Sequence, residues 1–432
     1  MVLWLERSAA DFESRFAELL GAKRESAEDV TADVAAIIAR VREEGDAALI
    51  DLTLRFDKLD LRAAGIEVSP KEISGARAGV APETIAALEL AHERILKHHR
   101  RQLPRDDFYT DSQGVELGQR WTPVDSAGLY VPGGTASYPS SVLMNAVPAK
   151  VARVPRIAMV VPALEGKLNP LVLVAAELAG VDEIYRVGGA QAVAALAYGT
   201  ETIKPVVKIV GPGNAYVAAA KRQVFGAVGI DMVAGPSEVV VIADSGNDPA
   251  WIAADLLAQA EHDAAAQSIL IADDAGFARA VAEAVDAQLA LLPRAEMARR
   301  SWENFGAIIV VTDLEEAPAI VDRLAPEHLE IATSDPDALL DRIRNAGAVF
   351  LGRYTPEVIG DYVAGCNHVL PTARSARFAS GLGVLDFMKR TSILKLDADS
   401  LGLLGPAAMT LAEAEGLEAH RRSVAIRLNP RS

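Results

Sequence analysis

Residues 238–271 read EVVVIADSGNDPAWIAADLLAQAEHDAAAQSILI, and this stretch sets the pattern for the rest of the chain. It opens with the apolar run Glu238–Ile242 and closes with a second apolar run, Ser268–Ile271. Between them Asp248 is suited to cap a helix, Pro249 suits its first position, and apolar residues follow at helical spacing. Short apolar runs on either side of a helix are typical of buried parallel strands. The stretch therefore predicts a strand–helix–strand unit of an α/β sheet.

The same alternation continues on both sides of this unit. The other predicted strands, most of them followed by Gly, Pro or Asp, are Ala127–Val131, Ile157–Val161, Glu183–Val187, Val206–Val210, Ile308–Val311 and Ala348–Leu351. The series breaks at Ala234-Gly235-Pro236-Ser237, which we interpret as the joint between two domains. The prediction is an α/β fold with two open, mostly parallel α/β domains, each resembling an incomplete Rossmann fold.

Helical segments are expected to flank the two domains. Residues 1–108 are predicted to be helical, with periodic apolar positions in Ser8–Leu20, Ala27–Gly45 and Ala81–Arg101. A final helix is expected from Pro406 to about Arg427, and such a tail favours an oligomer. The predicted divisions are 1–110 for an N-terminal helical region, 111–236 and 237–375 for the two α/β domains, and 376–432 for a C-terminal helical tail.

Composition limits the classes of function. The chain has 432 residues and a formal net charge of −16, which argues against binding to nucleic acid or to an anionic membrane surface. We see no signal peptide and no apolar run long enough to span a membrane. The single cysteine, Cys366, excludes an internal disulfide and a thiolate-rich zinc site. These features predict a cytoplasmic enzyme, whose metal, if it has one, is bound by His, carboxylate and amide groups.

Three glycine-containing loops follow predicted strands of the first α/β domain. They are Tyr130–Thr135, Val187–Gln191 and Gly211–Tyr216. Each loop taken alone is more often an ordinary tight turn, and none has the G-x-G-x-x-G spacing of the common dinucleotide fingerprint. Because the carboxyl ends of parallel strands meet at one edge of a sheet, the three loops together predict a nucleotide-binding face.

Gln259 and His262 end the helix of the opening stretch. At helical spacing they lie about 60° apart around the helix axis, so an amide oxygen and an imidazole can reach one ion. The alternative is an ordinary helix end, where the histidine interacts with the helix dipole. A second polar pair, Glu327-His328, follows Pro326 and precedes an apolar run. At the start of a strand this pair suits general bases, and an ordinary polar turn is the alternative.

Further polar residues lie toward the end of the chain. They are Glu357 and Asp361 in a predicted helix, His368 in a motif after it, and Glu415 and His420 in the tail helix. Glu415 and His420 are five residues apart, about 140° around a regular helix, so they cannot simply point the same way. Either the two flank a ligand or only one of them is functional.

Taken together, these motifs resemble those of the histidinol dehydrogenase family over nearly the whole chain. The matching segments are Gly128–Gly134, Gly188–Ala192, Gly211–Val217, Asp231–Glu238, Gln259–His262, Ala325–Leu329, Asn367–Thr372 and Glu415–His420. Eight segments in the same order are far more specific than any one of them. The resemblance implies oxidation of L-histidinol to L-histidine by way of L-histidinaldehyde, with two NAD⁺, in a homodimer that carries one zinc ion per active site.

The resemblance also implies roles for individual residues. The implied zinc ligands are Gln259, His262, Asp361 and His420, with His420 donated by the tail of the partner subunit. The implied bases are His328, which takes the alcohol proton, and Glu327, which activates water to hydrate the aldehyde. The implied NAD contacts are Tyr130, Gln191 and Asn214. The implied substrate contacts are Ser237, Gln259, His262, His328, Asp361, Glu415 and His420.

Three alternatives are weighed against this interpretation. A cysteine nucleophile would serve aldehyde oxidation, but Cys366 is not part of the matching motif, so we expect it to be a small packing residue. A zinc hydrolase would use the same ligands to activate water, with the glycine loops as plain turns. A non-catalytic binding protein of two α/β lobes would not need the concentration of Glu327, His328 and the metal ligands.

Overall fold

The computed structural model describes residues 2–22, 30–133 and 138–428. Gly134 and Thr135 of the first predicted glycine loop, and Ala27 at the predicted start of a helix, lie outside these residues. The strands are β1 (Leu3–Glu6), β2 (Asp107–Thr110), β3 (Glu116–Pro123), β4 (Ala127–Tyr130), β5 (Ile157–Val160), β6 (Glu183–Tyr185), β7 (Lys208–Val210), β8 (Gly229–Ile230), β9 (Glu238–Ala243), β10 (Gln267–Ala272), β11 (Ala307–Val310), β12 (His328–Ala332), β13 (Ala348–Leu351) and β14 (Met388–Lys395).

Helices cover most of the remaining chain, and no helix of the described residues is long and apolar enough to cross a membrane. They are α1 (Phe12–Gly21), α2 (Thr31–Glu44), α3 (Asp46–Asp57), α4 (Leu61–Ala64), α5 (Pro70–Ala76), α6 (Pro82–Arg100), α7 (Pro139–Val151), α8 (Pro170–Ala179), α9 (Gly189–Tyr198), α10 (Ala215–Val224), α11 (Pro249–Ala260), α12 (Ala275–Leu289), α13 (Ala295–Phe305), α14 (Ala317–Leu324), α15 (Pro336–Leu340), α16 (Glu357–Tyr362), α17 (Ala398–Ala414) and α18 (Glu418–Leu428).

Two parallel sheets confirm the predicted α/β class. A five-stranded sheet has the order β6-β5-β4-β7-β8, and a six-stranded sheet has the order β1-β11-β10-β9-β12-β13. Val239 and Val241 of β9 pack into the hydrophobic cluster on one face of the six-stranded sheet, while Val240 and Ile242 pack into the cluster on the other. Each such side chain contributes about 1.5–3 kcal/mol on full burial. Burial on both faces explains why these strands are apolar at consecutive positions.

The structure corrects the prediction that residues 1–108 are helical throughout. Leu3–Glu6 form β1, which pairs in parallel with Ala307–Val310 at the edge of the six-stranded sheet. Four residues are too few for a stable isolated helix but enough for an edge strand, because the strand takes its hydrogen bonds from a neighbour. The helices expected in Ser8–Leu20, Ala27–Gly45 and Ala81–Arg101 are present as α1, α2 and α6 within the described residues.

The chain divides by its contacts into two compact units, Met1–Gln102 with Asp125–Phe387 and Leu103–Val124 with Met388–Ser432. Both parallel sheets belong to the first unit. The second unit contains an antiparallel sheet of order β14-β3-β2, which the sequence analysis did not predict. β2 and β3 are neighbours in sequence, but β14 lies more than 250 residues after β3, so no local pattern predicts that pairing. The predicted boundaries at residues 110, 236 and 375 stay a prediction.

The predicted single tail helix is wrong. Asp397 and Ser400 form a capping box that begins α17 upstream, so Pro406 lies inside the helix and not at its start. The helix ends before Gly416, which has a φ of +73°, and α18 begins two residues later. Because Gly416 breaks the helix between Glu415 and His420, the angle of about 140° expected for a continuous helix does not apply.

Candidate active site

An open cavity of about 1450 Å³ in the first unit is lined by opposite ends of the two parallel sheets. The five-stranded sheet contributes loops that follow the carboxyl ends of its strands, including Gly211–Asn214 after β7. The six-stranded sheet contributes residues at the amino ends of its strands, namely Ser237 and Glu238 at β9, and Glu327 and His328 at β12. The cavity therefore brings the predicted nucleotide face and the predicted bases together.

The position of Glu327 and His328 follows from how α14 ends. Ala325 adopts a left-handed conformation, with a φ of +46°, and its N–H bonds back to the helix. Pro326 cannot continue a helix, so the chain leaves as strand β12. Both side chains are almost fully buried, at 5% and 3% exposure. The predicted placement of this pair at the start of a strand is correct.

Backbone groups of Glu238 fix both side chains. The N–H of Glu238 donates to Oε2 of Glu327 over 3.0 Å, and its carbonyl oxygen lies 3.1 Å from Nδ1 of His328. A proton on Nδ1 donates to that carbonyl, and this tautomer leaves the lone pair of Nε2 available as a base. Nε2 is buried and has no hydrogen-bond partner among the described residues.

Three carboxyl groups surround the imidazole of His328. Nδ1 lies 3.7 Å from Oε2 of Glu327 and 3.8 Å from Oε2 of Glu357, and Nε2 lies 3.5 Å from Oδ1 of Asp361. Burial by itself would lower the pKa of His328, but the three carboxylates together raise it well above its usual range. Burial raises the pKa of Glu327 to about 7 and that of Glu357 to about 8. Burial also acts to raise the pKa of Asp361, but the contact with His328 outweighs it and keeps that pKa low.

Gln259 and His262 lie at the end of α11, beside this cluster. Gln259 is fully buried. In the amide orientation that satisfies its surroundings, its nitrogen donates to Oε1 of Glu357 and its oxygen accepts from the N–H of Glu238, each over 3.0 Å. His262 keeps exposed surface and lines the cavity, yet desolvation by the surrounding protein lowers its pKa even though Asp361 acts to raise it. A neutral imidazole is the form that binds a metal.

The donor set in the first unit fits a zinc ion. An amide oxygen, a neutral imidazole and a carboxylate with a low pKa are ligands that zinc accepts, and Oδ1 of Asp361 is buried with no hydrogen-bond partner. Within the described residues, no group of three or more His, Cys, Asp or Glu side chains is arranged to hold a metal. The remaining predicted ligand, His420, and the predicted substrate contact Glu415 lie in the second unit, where both are exposed.

His368 and Cys366 follow the helix that carries Asp361. Nδ1 of His368 lies 3.1 Å from the carbonyl oxygen of Asp361, Nε2 lies 3.4 Å from Oγ of Ser141, and the ring lines the cavity. The thiol of Cys366 points toward the carbonyl oxygen of Gly360 instead. Burial raises the pKa of the Cys366 thiol, which disfavours the thiolate that a nucleophile requires.

The predicted nucleotide-contacting residues differ in their surroundings. Tyr130 is buried, and its hydroxyl accepts from the N–H of Gly189 over 3.0 Å at the start of α9. Gln191 is also buried, in the first turn of the same helix. Asn214 is exposed on the cavity, and its Oδ1 accepts from the N–H of Val217 over 3.2 Å, which caps α10. The second and third glycine loops thus lead into the N-termini of α9 and α10, as expected for a nucleotide-binding face.

Sequence reasoning assigned no role to four acidic residues around the bases: Glu238, Asp255, Glu330 and Glu357. Burial raises the pKa of Asp255 to about 6, and it also raises the pKa of Glu330 well above its usual range. Glu330 could have been noticed in the sequence, since it is a charged residue inside the apolar strand β12. A buried charge is costly, so a charged residue at such a position often has a functional role. Glu357 was detectable from its spacing, since it precedes Asp361 by four residues on α16.

These features define an α/β enzyme with a buried acid–base pair beside side chains whose chemistry would suit a metal ion. The histidinol dehydrogenase family model matches residues 21–428. Histidinol dehydrogenases of Rhizobium meliloti (strain 1021) and Mesorhizobium japonicum are 68% and 67% identical to the chain over 429 residues, with 99% of this chain covered and 99% and 100% of theirs. A crystal structure of histidinol dehydrogenase from Elizabethkingia anophelis superposes with a TM-score of 0.94 at 38% identity, covering 99% of this chain and 98% of that one.

The chain therefore belongs to the histidinol dehydrogenase family. It is an oxidoreductase of histidine biosynthesis, and the resemblance inferred from eight sequence segments is confirmed.

Proposed function

We propose that the chain oxidises L-histidinol to L-histidine in two steps, with L-histidinaldehyde between them. One alcohol, one water and two NAD⁺ give one carboxylate, two NADH and three protons. When bound, NAD⁺ supplies the hydride acceptor of each step and zinc supplies a fixed positive centre for the nitrogen atoms of the substrate. The side chains of the protein move the protons and hold the reacting carbon in place.

The observation that carries the proposal is the buried, unpartnered Nε2 of His328 at the cavity. In the first oxidation Nε2 takes the hydroxyl proton of the alcohol as the C–H bond gives up its hydride. The carbonyl of Glu238 holds the ring orientation through Nδ1, at 3.1 Å. The surrounding carboxylates raise the pKa of His328, so the ring must first lose its Nε2 proton to act as the base, and the same carboxylates then stabilise the imidazolium that forms. His328 releases this proton to solvent before the second step.

Glu327 serves the hydration of the aldehyde. Burial raises its pKa to about 7, so near neutral pH the carboxylate form is available and still basic enough to take a proton from water. The hydroxide adds to the aldehyde carbon, and the former carbonyl oxygen takes back the proton held by Glu327 to give the neutral hydrate. His328 then accepts a hydroxyl proton of the hydrate as the second hydride leaves. The resulting carboxylic acid loses its proton to give the product carboxylate.

Zinc would be held by Gln259, His262, Asp361 and His420, one ion per subunit. The chemistry of the first three residues supports this, because their side chains offer two oxygens and one neutral nitrogen around His328 and Glu357. Glu357 accepts a hydrogen bond from the amide of Gln259, which restrains that ligand. We assign contacts with L-histidinol to Ser237, Gln259, His262, His328, Asp361, Glu415 and His420, and contacts with NAD to Tyr130, Gln191 and Asn214.

We further propose that the chain acts in the cytoplasm as a homodimer, in which the tail of each subunit supplies His420 to the other. The exposure of His420 on its own unit supports this proposal. Mixing two variants that each form little or no L-histidine tests it, with the formation of L-histidine as the measure of turnover. Glu327→Gln and His420→Asn chains, unfolded and refolded together in equal amounts, should recover roughly a quarter of wild-type turnover, because half of the dimers contain one intact site. If each chain completes its own site, the mixture stays inactive.

The reaction itself is tested by stoichiometry together with metal analysis. Purified protein should contain one zinc per chain, and each L-histidinol consumed should yield two NADH, read from absorbance. One NADH with accumulating aldehyde would contradict the four-electron reaction. Turnover that persists unchanged after zinc is removed by a chelator would contradict the role of the metal.

A further inference from the structure

A buried lysine and a buried aspartate lie beside the loop that precedes α10, at the wall of the cavity. Lys221 is on α10, seven residues after Asn214, and Asp231 directly follows β8. Their side chains form an ion pair and are only 2% and 1% exposed. Burying two charges is costly, and an apolar pair of similar size is often at least as stabilising. The presence of this pair therefore calls for a reason other than packing.

The ion pair encloses both backbone polar groups of a single residue, Gly211. Nζ of Lys221 donates to the carbonyl oxygen of Gly211 over 2.9 Å. The N–H of Gly211 donates to Oδ2 of Asp231 over 2.8 Å, while Oδ1 of Asp231 accepts from Lys221. The three residues form a closed ring of hydrogen bonds. This ring restrains the peptide groups on both sides of Gly211.

The conformation that the ring holds is one that only glycine adopts easily. Gly211 has a φ of +109°, and an added Cβ would overlap the carbonyl oxygen of Tyr130. Gly211 thus lies directly against β4, and the hydroxyl of Tyr130 in turn accepts from Gly189. The ring, the Gly211–Asn214 loop and the start of α9 are linked through one tyrosine. A shift of Gly211 would move Asn214 on the cavity wall.

We propose that Lys221 and Asp231 are positioning residues that hold the Gly211–Asn214 loop in the conformation that binds NAD. The inference rests on the NAD contact proposed above for Asn214. Neither side chain takes part in proton transfer. The pair acts through the loop, so its removal weakens NAD binding and leaves the affinity for L-histidinol unchanged.

The experiment compares single and double replacements. The variants are Lys221→Met, Asp231→Leu and the two combined. The control is Lys150→Met, which removes a lysine of α7 from a partly exposed ion pair with Asp182, away from the cavity. Thermal unfolding reports stability, and calorimetric titration with NAD⁺ reports affinity without catalysis. Each single replacement leaves one buried charge unpaired, so both should lower the unfolding temperature and weaken NAD⁺ binding. The double replacement removes both charges and should recover most of the stability.

The double variant separates a positioning role from a purely structural one. We expect its dissociation constant for NAD⁺ to remain raised by about tenfold or more, since small displacements of binding groups have effects of this size or larger. The KM for L-histidinol should stay within about twofold of wild type, and Lys150→Met should bind NAD⁺ normally. A double variant that regains both stability and NAD⁺ affinity overturns the positioning role and leaves the proposed function intact. If the wild-type chain itself does not bind NAD⁺, both proposals fail.

A milder variant decides the question if the double variant does not fold. Lys221→Gln keeps a donor for the carbonyl oxygen of Gly211 and removes the charge. We expect Lys221→Gln to weaken NAD⁺ binding by a smaller factor than Lys221→Met, because the glutamine retains a hydrogen bond that the methionine lacks. Equal and unchanged NAD⁺ affinity in both single variants would overturn the proposal.

Discussion

Replacement of Glu327 by Gln separates the two oxidations. The amide keeps the shape of the side chain and can still accept the N–H of Glu238, but it cannot take a proton from water. The first oxidation depends on His328 and should persist. Hydration of the aldehyde should slow by about 10²–10⁴-fold, the usual contribution of a positioned general base. NADH formed per L-histidinol should fall from two toward one, with aldehyde detected by trapping with a hydrazine.

The same substitution has a predictable effect on stability. Burial raises the pKa of Glu327 from 4.5 to about 7, and a tenfold change in proton affinity corresponds to about 1.4 kcal/mol. A carboxyl group with a raised pKa in the folded state loses its stabilising contribution as the pH rises from below 4.5 through 7. Glu327→Gln lacks this loss, so its free energy of unfolding should exceed that of wild type by up to roughly 3 kcal/mol at pH 8 and match it at pH 4.

Glu330→Gln is the matched control for this prediction. Glu330 is a buried carboxyl group on the same strand with a raised pKa, but it does not line the cavity. It should show a pH-dependent gain in stability without accumulation of aldehyde. Two NADH per L-histidinol at near wild-type rate from Glu327→Gln would refute the assignment of Glu327 as the base for water.

Three further predictions concern the metal, a glycine and the cysteine. His262→Ala should lose most of the bound zinc in elemental analysis, whereas the same change at exposed His98 should not, and full zinc content in His262→Ala would contradict its role. Gly211→Ala should lower the free energy of unfolding by more than the roughly 1–2 kcal/mol expected for Gly226→Ala. Both glycines have a φ above +100°, but only Gly211 lacks space for a Cβ, so equal losses in chemical denaturation would contradict the packing argument. Cys366→Ser should keep nearly full turnover, and loss of the second oxidation would restore the cysteine mechanism.

The parallel sheets were predictable because their signal is local. Strands such as β9 and β10 are buried on both faces, so each one is a short apolar run that needs no knowledge of its neighbours. β14 is different, since it is mostly exposed and pairs with β3, which lies more than 250 residues away. The edge strand β1 was missed for a similar reason. Its partner β11 is about 300 residues further along the chain.

Several polar residues of the candidate site are visible in the sequence, whereas their surroundings are not. Gln259, His262, Glu327 and His328 stand out because polar residues interrupt apolar patterns at the ends of helices and strands. The sequence could not show that the carboxyl ends of the five-stranded sheet and the amino ends of the six-stranded sheet meet at one cavity. Local sequence does not say which ends of two sheets face each other. Glu357 took on significance only when the fold placed its carboxyl group 3.8 Å from His328.

The three carboxyl groups around His328 affect the release of the product. In the proposed reaction L-histidinol enters this pocket as a cation, whereas the product carries a new carboxylate on the carbon that was oxidised. Two like charges about 4 Å apart repel by about 4 kcal/mol at the effective dielectric constant of a partly buried site. Asp361, whose pKa is low, and Glu327, which is partly ionised near pH 7, would therefore weaken retention of the product, and Glu357 would add to this effect only above a pH of about 8. The charge that the proposed reaction creates is thus the charge that the pocket opposes, and the opposition grows as the pH rises.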